Sequence, residues 1–284
     1  MAKKILIYGH RGARGLAPEN TIPGYALAIQ LGVDYIDMDV NLTKDSVVVV
    51  THDVALNPDL TRDQNNNWIK AKNLLIKNLT WNELQKYDVG MIKPKTFYRL
   101  RFPKQRSVAN THIPSLEEVI KLAKIKTKNK IKLQIEIKTD PKHPNFTFSP
   151  KKIVKQVIKI LKRHRVITRT DLQSFDWRAL QLAKHLAPKI ATAYLTTAAS
   201  SKQMRNPNPE NHSIPKMIAA LGGKVWGAES KEFTKQNVEE AHKYGLRVVP
   251  WTVNRVTEMR RMIKLGVDGI ITDRPDVLQS ILKN

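Results

Sequence analysis

Short β-branched runs alternate with helical periodicities along almost the whole chain, and that alternation leaves few folds open. Strand-like runs occupy 5–9, 34–40, 131–137, 166–174, 190–195, 224–227, 247–253 and 269–272. Apolar residues at helical spacing fill 21–31, 115–125, 150–164, 176–186, 214–221, 234–244 and 257–265. Ser115 with Glu118 reads as a capping box, Ser149-Pro150 puts proline at a first helical position, and Thr257 before Glu258 reads as a start. Gly32, Gly245 and Gly266 follow helices as left-handed stops. Eight such units in 284 residues suit a closed barrel or a doubly wound open sheet. His10, Asp37, Asp39, Glu136, Gln173 and Trp251 fall near the carboxyl ends of five strands. A barrel gathers those ends around one mouth, so the expected fold class is α/β, a TIM (β/α)8 barrel forming one domain over 1–284.

Two irregularities interrupt the alternation. After the strand 34–40, Asn41-Leu-Thr-Lys-Asp-Ser46 leads straight into Val47-Val-Val-Val50, which leaves no room for a crossover helix and predicts a β-hairpin. A turn centred on Asp45 and Ser46 would pair residue 52 with residue 39 and return His52 to the level of Asp39. Residues 54–114 are too long for an ordinary connection, with a helix expected at 80–86, and read as an inserted cap beside the mouth.

Composition narrows the chemistry. With no cysteine, disulfides, thiolate-held metals and thiol catalysis are excluded. No run approaches the roughly 18 apolar residues of a membrane span. The apolar run after Lys3 and Lys4 is too short for a signal peptide, and a cytoplasmic location is expected, or a periplasmic or secreted one if a signal peptide was removed. Forty-nine Lys+Arg against 25 Asp+Glu leave +24. The excess concentrates between Asp140 and Asp171 and in the acid-free stretch 89–116. Such charge attracts anions, and transient contact with an anionic membrane is one reading. Aromatics do not interleave with the cations as a stacking platform requires, so no dedicated nucleic-acid partner is expected.

Asp37 and Asp39 stand two apart on a strand and share a face, and Glu136 ends another strand. Three converging carboxylates call for a hard cation bound through oxygen; the alternative makes the aspartates strand-end caps or partners of surface lysines. His10 and His52 each follow a β run and would form an acid–base pair flanking a phosphate. His112, His143, His164, His185, His212 and His242 lack such settings and are expected to be surface or structural. Arg11 suits a phosphoryl oxygen, and Lys138 shares the strand parity of Glu136. Glu19 and Asn20 precede the first helix, where they could cap it or contact the metal.

GHRGARGLAPENT (9–21) resembles the amino-terminal signature of the glycerophosphodiester phosphodiesterase family. The resemblance continues through DMDV (37–40), THD (51–53), EIK (136–138), LQSFDW (172–177), PWTVN (250–254) and DGIITDRPD (268–276). It implies a TIM barrel with an insertion after the hairpin, catalytic histidines at His10 and His52, and metal-binding acids at Asp37, Asp39 and Glu136. It also implies Arg11, Lys138 and Trp251 on the substrate side; Glu19, Asn20, Gln173 and Asn254 are candidates for the residues that support them. The implied reaction converts glycerophosphodiesters such as glycerophosphocholine to sn-glycerol 3-phosphate and an alcohol, with calcium or magnesium. Asp37 departs from the family's usual glutamate; the shorter arm favours calcium, whose coordination is less strict than that of magnesium. Two other readings stay open: a phosphodiesterase or lyase acting on lysophospholipids or sphingolipids, and a basic protein binding nucleic acid or anionic surfaces.

Overall fold

The computed structural model describes residues 4–70, 73–200 and 213–283. Nine strands are present among them: β1 (Leu6–Gly9), β2 (Tyr35–Leu42), β3 (Val48–Val50), β4 (Lys132–Ile137), β5 (Thr170–Ser174), β6 (Ala191–Thr196), β7 (Val225–Ala228), β8 (Arg247–Val248) and β9 (Gly269–Thr272). All but β3 run parallel in the order β8-β7-β6-β5-β4-β2-β1-β9. The ends meet: Asp268 N–H donates to Val248 O (2.9 Å), Ile271 N–H to Pro250 O (3.0 Å) and Val253 N–H to Ile271 O (2.9 Å). Pro250 has no N–H to add to this seam, which is why β8 is short where a strand over 247–253 was expected. The strand expected over 166–174 begins late too, because a 3-10 turn occupies Ile167–Arg169.

The helices are α1 (Ile22–Gln30), α2 (Trp81–Leu84), α3 (Phe97–Arg101), α4 (Leu116–Thr127), α5 (Pro150–Arg163), α6 (Trp177–Leu186), α7 (Ile214–Ala220), α8 (Lys235–Lys243), α9 (Val256–Leu265) and α10 (Pro275–Lys283). Ser115 and Ser149 cap α4 and α5 as expected, and Gly32, Gly245 and Gly266 all have positive φ. Thr257 does not start α9. That helix opens one residue earlier, after Arg255, whose side chain makes no capping bond.

Strand parity divides the core in two. Ile36, Met38, Leu133, Ile135, Leu172, Trp226 and Ile270 belong to the large cluster packed under the helices. Their neighbours Tyr8, Tyr35, Ala193, Val225, Val249 and Ile271 form a separate interior cluster. Tyr35, Asp37 and Asp39 therefore climb one interior wall. In register beside them, Asp37 pairs with Gln134, Asp39 with Glu136, and Glu136 with Gln173. Below the mouth the interior is plugged by polar contacts. Tyr8 stacks on Tyr35 (4.1 Å), and Arg247 bonds to both hydroxyls (3.0 and 2.9 Å) and to Asp171 (2.7 Å).

The hairpin differs from expectation by one residue. Val40 pairs with Val50, Asn41 with Val49 and Leu42 with Val48, so Thr51, not His52, stands opposite Asp39. Thr43 sets this register: its N–H reaches Val47 O (3.0 Å) and its hydroxyl accepts from Val47 N–H (2.9 Å), closing a three-residue loop with Ser46 at φ +66°. A slip of one would turn His52 out of the barrel if the strand continued. It does not; β3 ends at Val50, and Asn41 Nδ2 catches Thr51 O (2.9 Å) where the chain bends toward the mouth.

Residues 54–114 contain Ile76–Asn78 as a 3-10 turn, α2 and α3; α2 starts from a Thr80–Glu83 capping box. They gather a small apolar cluster of Leu56, Ile76, Leu84 and Ile113 around Val49 of β3. The segment is fastened to the β1–α1 loop by Gln105 Nε2 to Arg14 O (2.7 Å) and Arg106 N–H to Leu16 O (2.9 Å).

Truncating Arg247 leaves Asp171 buried without its charge partner. Arg247→Ala should cost about 3 kcal/mol, the low end for a broken buried pair because the guanidinium is partly exposed. Urea denaturation should show most of that loss recovered in the double variant Arg247→Met/Asp171→Leu.

Candidate active site

The β1–α1 loop brings the first half of the site together through close backbone approaches. A Cβ on Gly12 (φ +90°) would stand 2.8 Å from the Gly24 backbone, so only glycine lets the loop lie on α1. Arg11 and Asn20 adopt left-handed φ of 50° and 53°, and Asn20 N–H bonds Arg11 O (3.0 Å), pinning the loop ends. Thr21, rather than Glu19 or Asn20, caps α1. That leaves Asn20 for Asp39: Nδ2 donates to Asp39 Oδ2 (2.9 Å) while Oδ1 accepts from the Tyr25 hydroxyl (2.8 Å).

A cleft of about 230 Å³ opens at the mouth. His10, Arg11, Asp37, His52, Glu136 and Lys138 line its polar side; Phe175, Leu195, Trp251 and Ile271 line the other. Phe175 meets the Trp251 ring edge-on at 5.5 Å. Gln173 also lines the cleft, with its Nε2 on Asp37 Oδ1 (2.6 Å), and Glu19 is drawn to Arg11 (2.9 Å) and to the Tyr98 hydroxyl. His10, Arg11, Asp37, His52, Glu136, Lys138, Gln173 and Trp251 thus line one cleft, while Asp39 and Glu19 meet Arg11, Asn20 meets Asp39 and Asn254 meets Asp273. His112, His143, His164 and His242 instead bond to Tyr87 O, Asp140, Glu117 and Asp268, and His185 is exposed. His212 lies outside the described residues.

Two acidic residues that sequence reasoning did not single out engage the histidines. Asp273, just past β9, lies 2.6 Å from His10 Nδ1, and Asp53 lies 2.7 Å from His52 Nδ1. With Nδ1 taken up by a carboxylate, each ring has Nε2 left for a reacting group. Asp273 also receives Arg14 Nε (2.8 Å) and Asn254 Nδ2 (2.6 Å). Arg14, itself missed, lies over the Phe102 ring at 4.6 Å. The available signal was parity: Asp273 stands two residues after the inward-facing Ile271, and Asp53 directly follows His52.

The charges set one another's protonation. Burial, then the Arg14 guanidinium, lowers His10 to about 4 against the pull of Asp273. Burial disfavours the Asp39 carboxylate, but Arg11 (3.2 Å) and Lys138 (3.4 Å) hold it well below the usual carboxylate range. Burial pushes Glu136 up despite Lys138 at 2.7 Å. Burial and then repulsion from Asp39 and Glu136 push Asp37 up furthest, past what Arg11 offsets.

Oxygen donors with a surplus of negative charge are what a hard divalent cation requires. Among the described residues, Glu19, Asp37, Asp39, Glu136 and Asp273 are answered at the site by the buried or partly buried cations Arg11, Arg14 and Lys138, and the raised Asp37 marks the imbalance. The donor set therefore fits such an ion in kind. The acids are not arranged as a finished cage: among the described residues no three His, Asp or Glu side chains are grouped to hold a metal, and the Lys138 ammonium bridges Asp39 and Glu136.

Residues 10–277 match the glycerophosphoryl diester phosphodiesterase family. A glycerophosphodiester phosphodiesterase of Caldanaerobacter subterraneus is 31% identical over 99% of this chain and 98% of its own. A crystal structure from Silicibacter pomeroyi superposes with a TM-score of 0.91 at 35% identity, covering 100% of this chain and 94% of that one. The structure of an Oleispira antarctica phosphodiesterase in complex with the product sn-glycerol-3-phosphate shares the fold at TM-score 0.74 and 23% identity, with 98% and 97% coverage. Fold, site and relatives define a barrel hydrolase of phosphoric diesters. The chain belongs to the glycerophosphoryl diester phosphodiesterase family.

Asp273→Asn removes the charge that orients His10, and kcat should fall by about 10²-fold or more with little change in KM. Nitrogen-15 shifts of the ring should show a changed tautomer population. As the pH falls, unfolded chains protonate this histidine first, from about pH 6.5, while native His10 waits until about 4. His10 should therefore erode stability across that window and not above it. Proton NMR should place its midpoint near 4, and His10→Asn should flatten the loss of stability between those pH values.

Proposed function

We propose that the protein hydrolyses small glycerophosphodiesters, such as glycerophosphocholine, to sn-glycerol 3-phosphate and an alcohol, with two histidines exchanging protons. The carrying observation is the pair of imidazoles, each engaged at Nδ1 by a carboxylate and lining one cleft with Arg11 and Lys138. The product bound to the Oleispira antarctica relative supports the same substrate class. At about 230 Å³ the cleft is smaller than typical pockets for drug-sized ligands, which suits a headgroup ester better than a whole lysophospholipid.

In this reading Arg11 and Lys138 hold non-bridging phosphate oxygens. Trp251 and Phe175 pack against the carbon side of the substrate. His10, kept neutral by burial, takes the proton of the glycerol 2-hydroxyl as that oxygen attacks phosphorus, and His52 protonates the departing alcohol oxygen. Water then opens the cyclic phosphate with the two roles exchanged. Asp37, Asp39 and Glu136 would hold one divalent cation, and the shorter Asp37 arm would suit calcium, whose ligand requirements are less strict, over magnesium. When bound, that ion supplies Lewis-acid stabilisation of charge on the phosphoryl group.

Turnover of glycerophosphocholine and glycerophosphoethanolamine, measured after chelation and after return of Ca2+ or Mg2+, tests these roles. Chelation should abolish activity and calcium should restore more of it than magnesium. His10→Ala should lose about 10³-fold or more in kcat, while Asp37→Glu should mainly change the preferred metal. Near-parent activity in His10→Ala would overturn the acid–base assignment. A 2-deoxy substrate turned over at the parent rate would replace the cyclic route with direct attack by water.

A further inference from the structure

Large apolar side chains are left on the surface at both ends of the barrel: Ile125, Tyr244 and Leu282 lie singly at helix C-termini, whereas the exposed phenylalanine rings gather at the other end. All three exposed phenylalanines, Phe97, Phe146 and Phe175, belong to segments at the mouth face. Phe175 packs on Trp251 and belongs to the cleft. Phe97 and Leu100 do not: both stand on α3, 79% and 76% exposed. This short helix is turned apolar side outward. Its Tyr98 reaches Glu19 and its Arg99 bonds Gln105 O (3.0 Å), so the polar groups of α3 fasten it to the protein. Phe102, next in the chain, is buried against Arg14. Phe146 stands in the β4–α5 loop, also at the carboxyl ends of the strands.

Exposed cations flank these apolar residues along the chain. Lys95, Arg101, Lys104 and Arg106 are exposed, in a stretch from 89 to 116 that contains no acid, and Arg101 reaches the cleft. Lys142 is exposed near Phe146 in sequence. Two or three apolar side chains bind a bilayer only marginally, and exposed cations alone give a salt-screened attraction; together they make a working interfacial anchor. A nucleic-acid surface would not use the aliphatic Leu100, and a protein groove would not need so uniform a charge.

We propose that the mouth face, centred on α3, docks on an anionic lipid surface. Phe97 and Leu100 enter the boundary between headgroups and acyl chains, while Lys95, Lys104 and Arg106 lie among the lipid phosphates. Docked in this way, the cleft opens toward the membrane surface. The proposed contact is peripheral and reversible; no helix among the described residues is long and apolar enough to cross a membrane.

Co-sedimentation of the full chain with vesicles of phosphatidylcholine, with or without about a quarter phosphatidylglycerol, measures this directly. Partitioning should favour the anionic vesicles by about tenfold or more and weaken with added salt. Phe97→Ser/Leu100→Ser and, separately, Lys104→Glu/Arg106→Glu should each lower it by about tenfold or more, with circular dichroism and melting temperature unchanged. Phe97→Trp, a less disruptive change, should shift tryptophan emission to the blue when anionic vesicles are added. Equal partitioning of the parent onto both vesicles, or parent-like binding by Phe97→Ser/Leu100→Ser, would overturn the proposal. So would concentration-dependent self-association of the parent that the same double substitution abolishes, because the patch would then be covered by a second copy.

Discussion

A charge taken out of water must be answered by another, and the mouth of this barrel is organised by that demand. Asp273 is satisfied by Arg14 and Asn254 and turns toward His10; Asp39 is satisfied by Asn20, Arg11 and Lys138. Asp37, hydrogen-bonded by neutral Gln173 and crowded by two other acids, is where compensation falls short. The left-handed backbone at Arg11 and Asn20 is part of the same solution, since it is this loop that carries the guanidinium and the amide to Asp39.

The barrel supplies the rigid frame for that arrangement. Its interior runs from the Tyr8–Tyr35–Arg247–Asp171 plug upward to the carboxylates, so the acids rest on a packed floor and not on a water-filled channel. The inserted segment then closes over one side. Gln105 and Arg106 tie it to the loop that carries His10 and Arg11, which couples the position of α3 to the site and places its apolar tips at the rim.

Much of this was legible in the sequence because it follows from short-range rules. Period-two alternation placed Asp37, Asp39 and Glu136 on one face, and glycine stops and serine caps marked helix ends that the structure reproduces at Ser115, Ser149, Gly32, Gly245 and Gly266. Thr257 failed as a start signal because a plausible capping residue two positions past the actual cap is indistinguishable by type alone. The hairpin register failed because the Thr43 side chain, not the residue count, closes the loop. His52 still reaches the cleft, through the Asn41 bond that bends the chain after β3, and that contact has no local signature.

The order and spacing of residues determined the strand–helix alternation, the inward parity of the acids, the family motifs and the cationic surplus, since each depends on neighbours a few positions apart. Tertiary structure alone decided which carboxylate engages which imidazole. Asp273 and His10 are 263 positions apart and meet only when the last strand closes on the first. Pairing of β2 with β4 decided that Lys138 bridges Asp39 and Glu136, leaving Asp37 the least compensated of the three, and packing of the inserted segment decided that α3 turns its apolar side to solvent. These are consequences of distance and burial, and a linear chain holds neither until it folds.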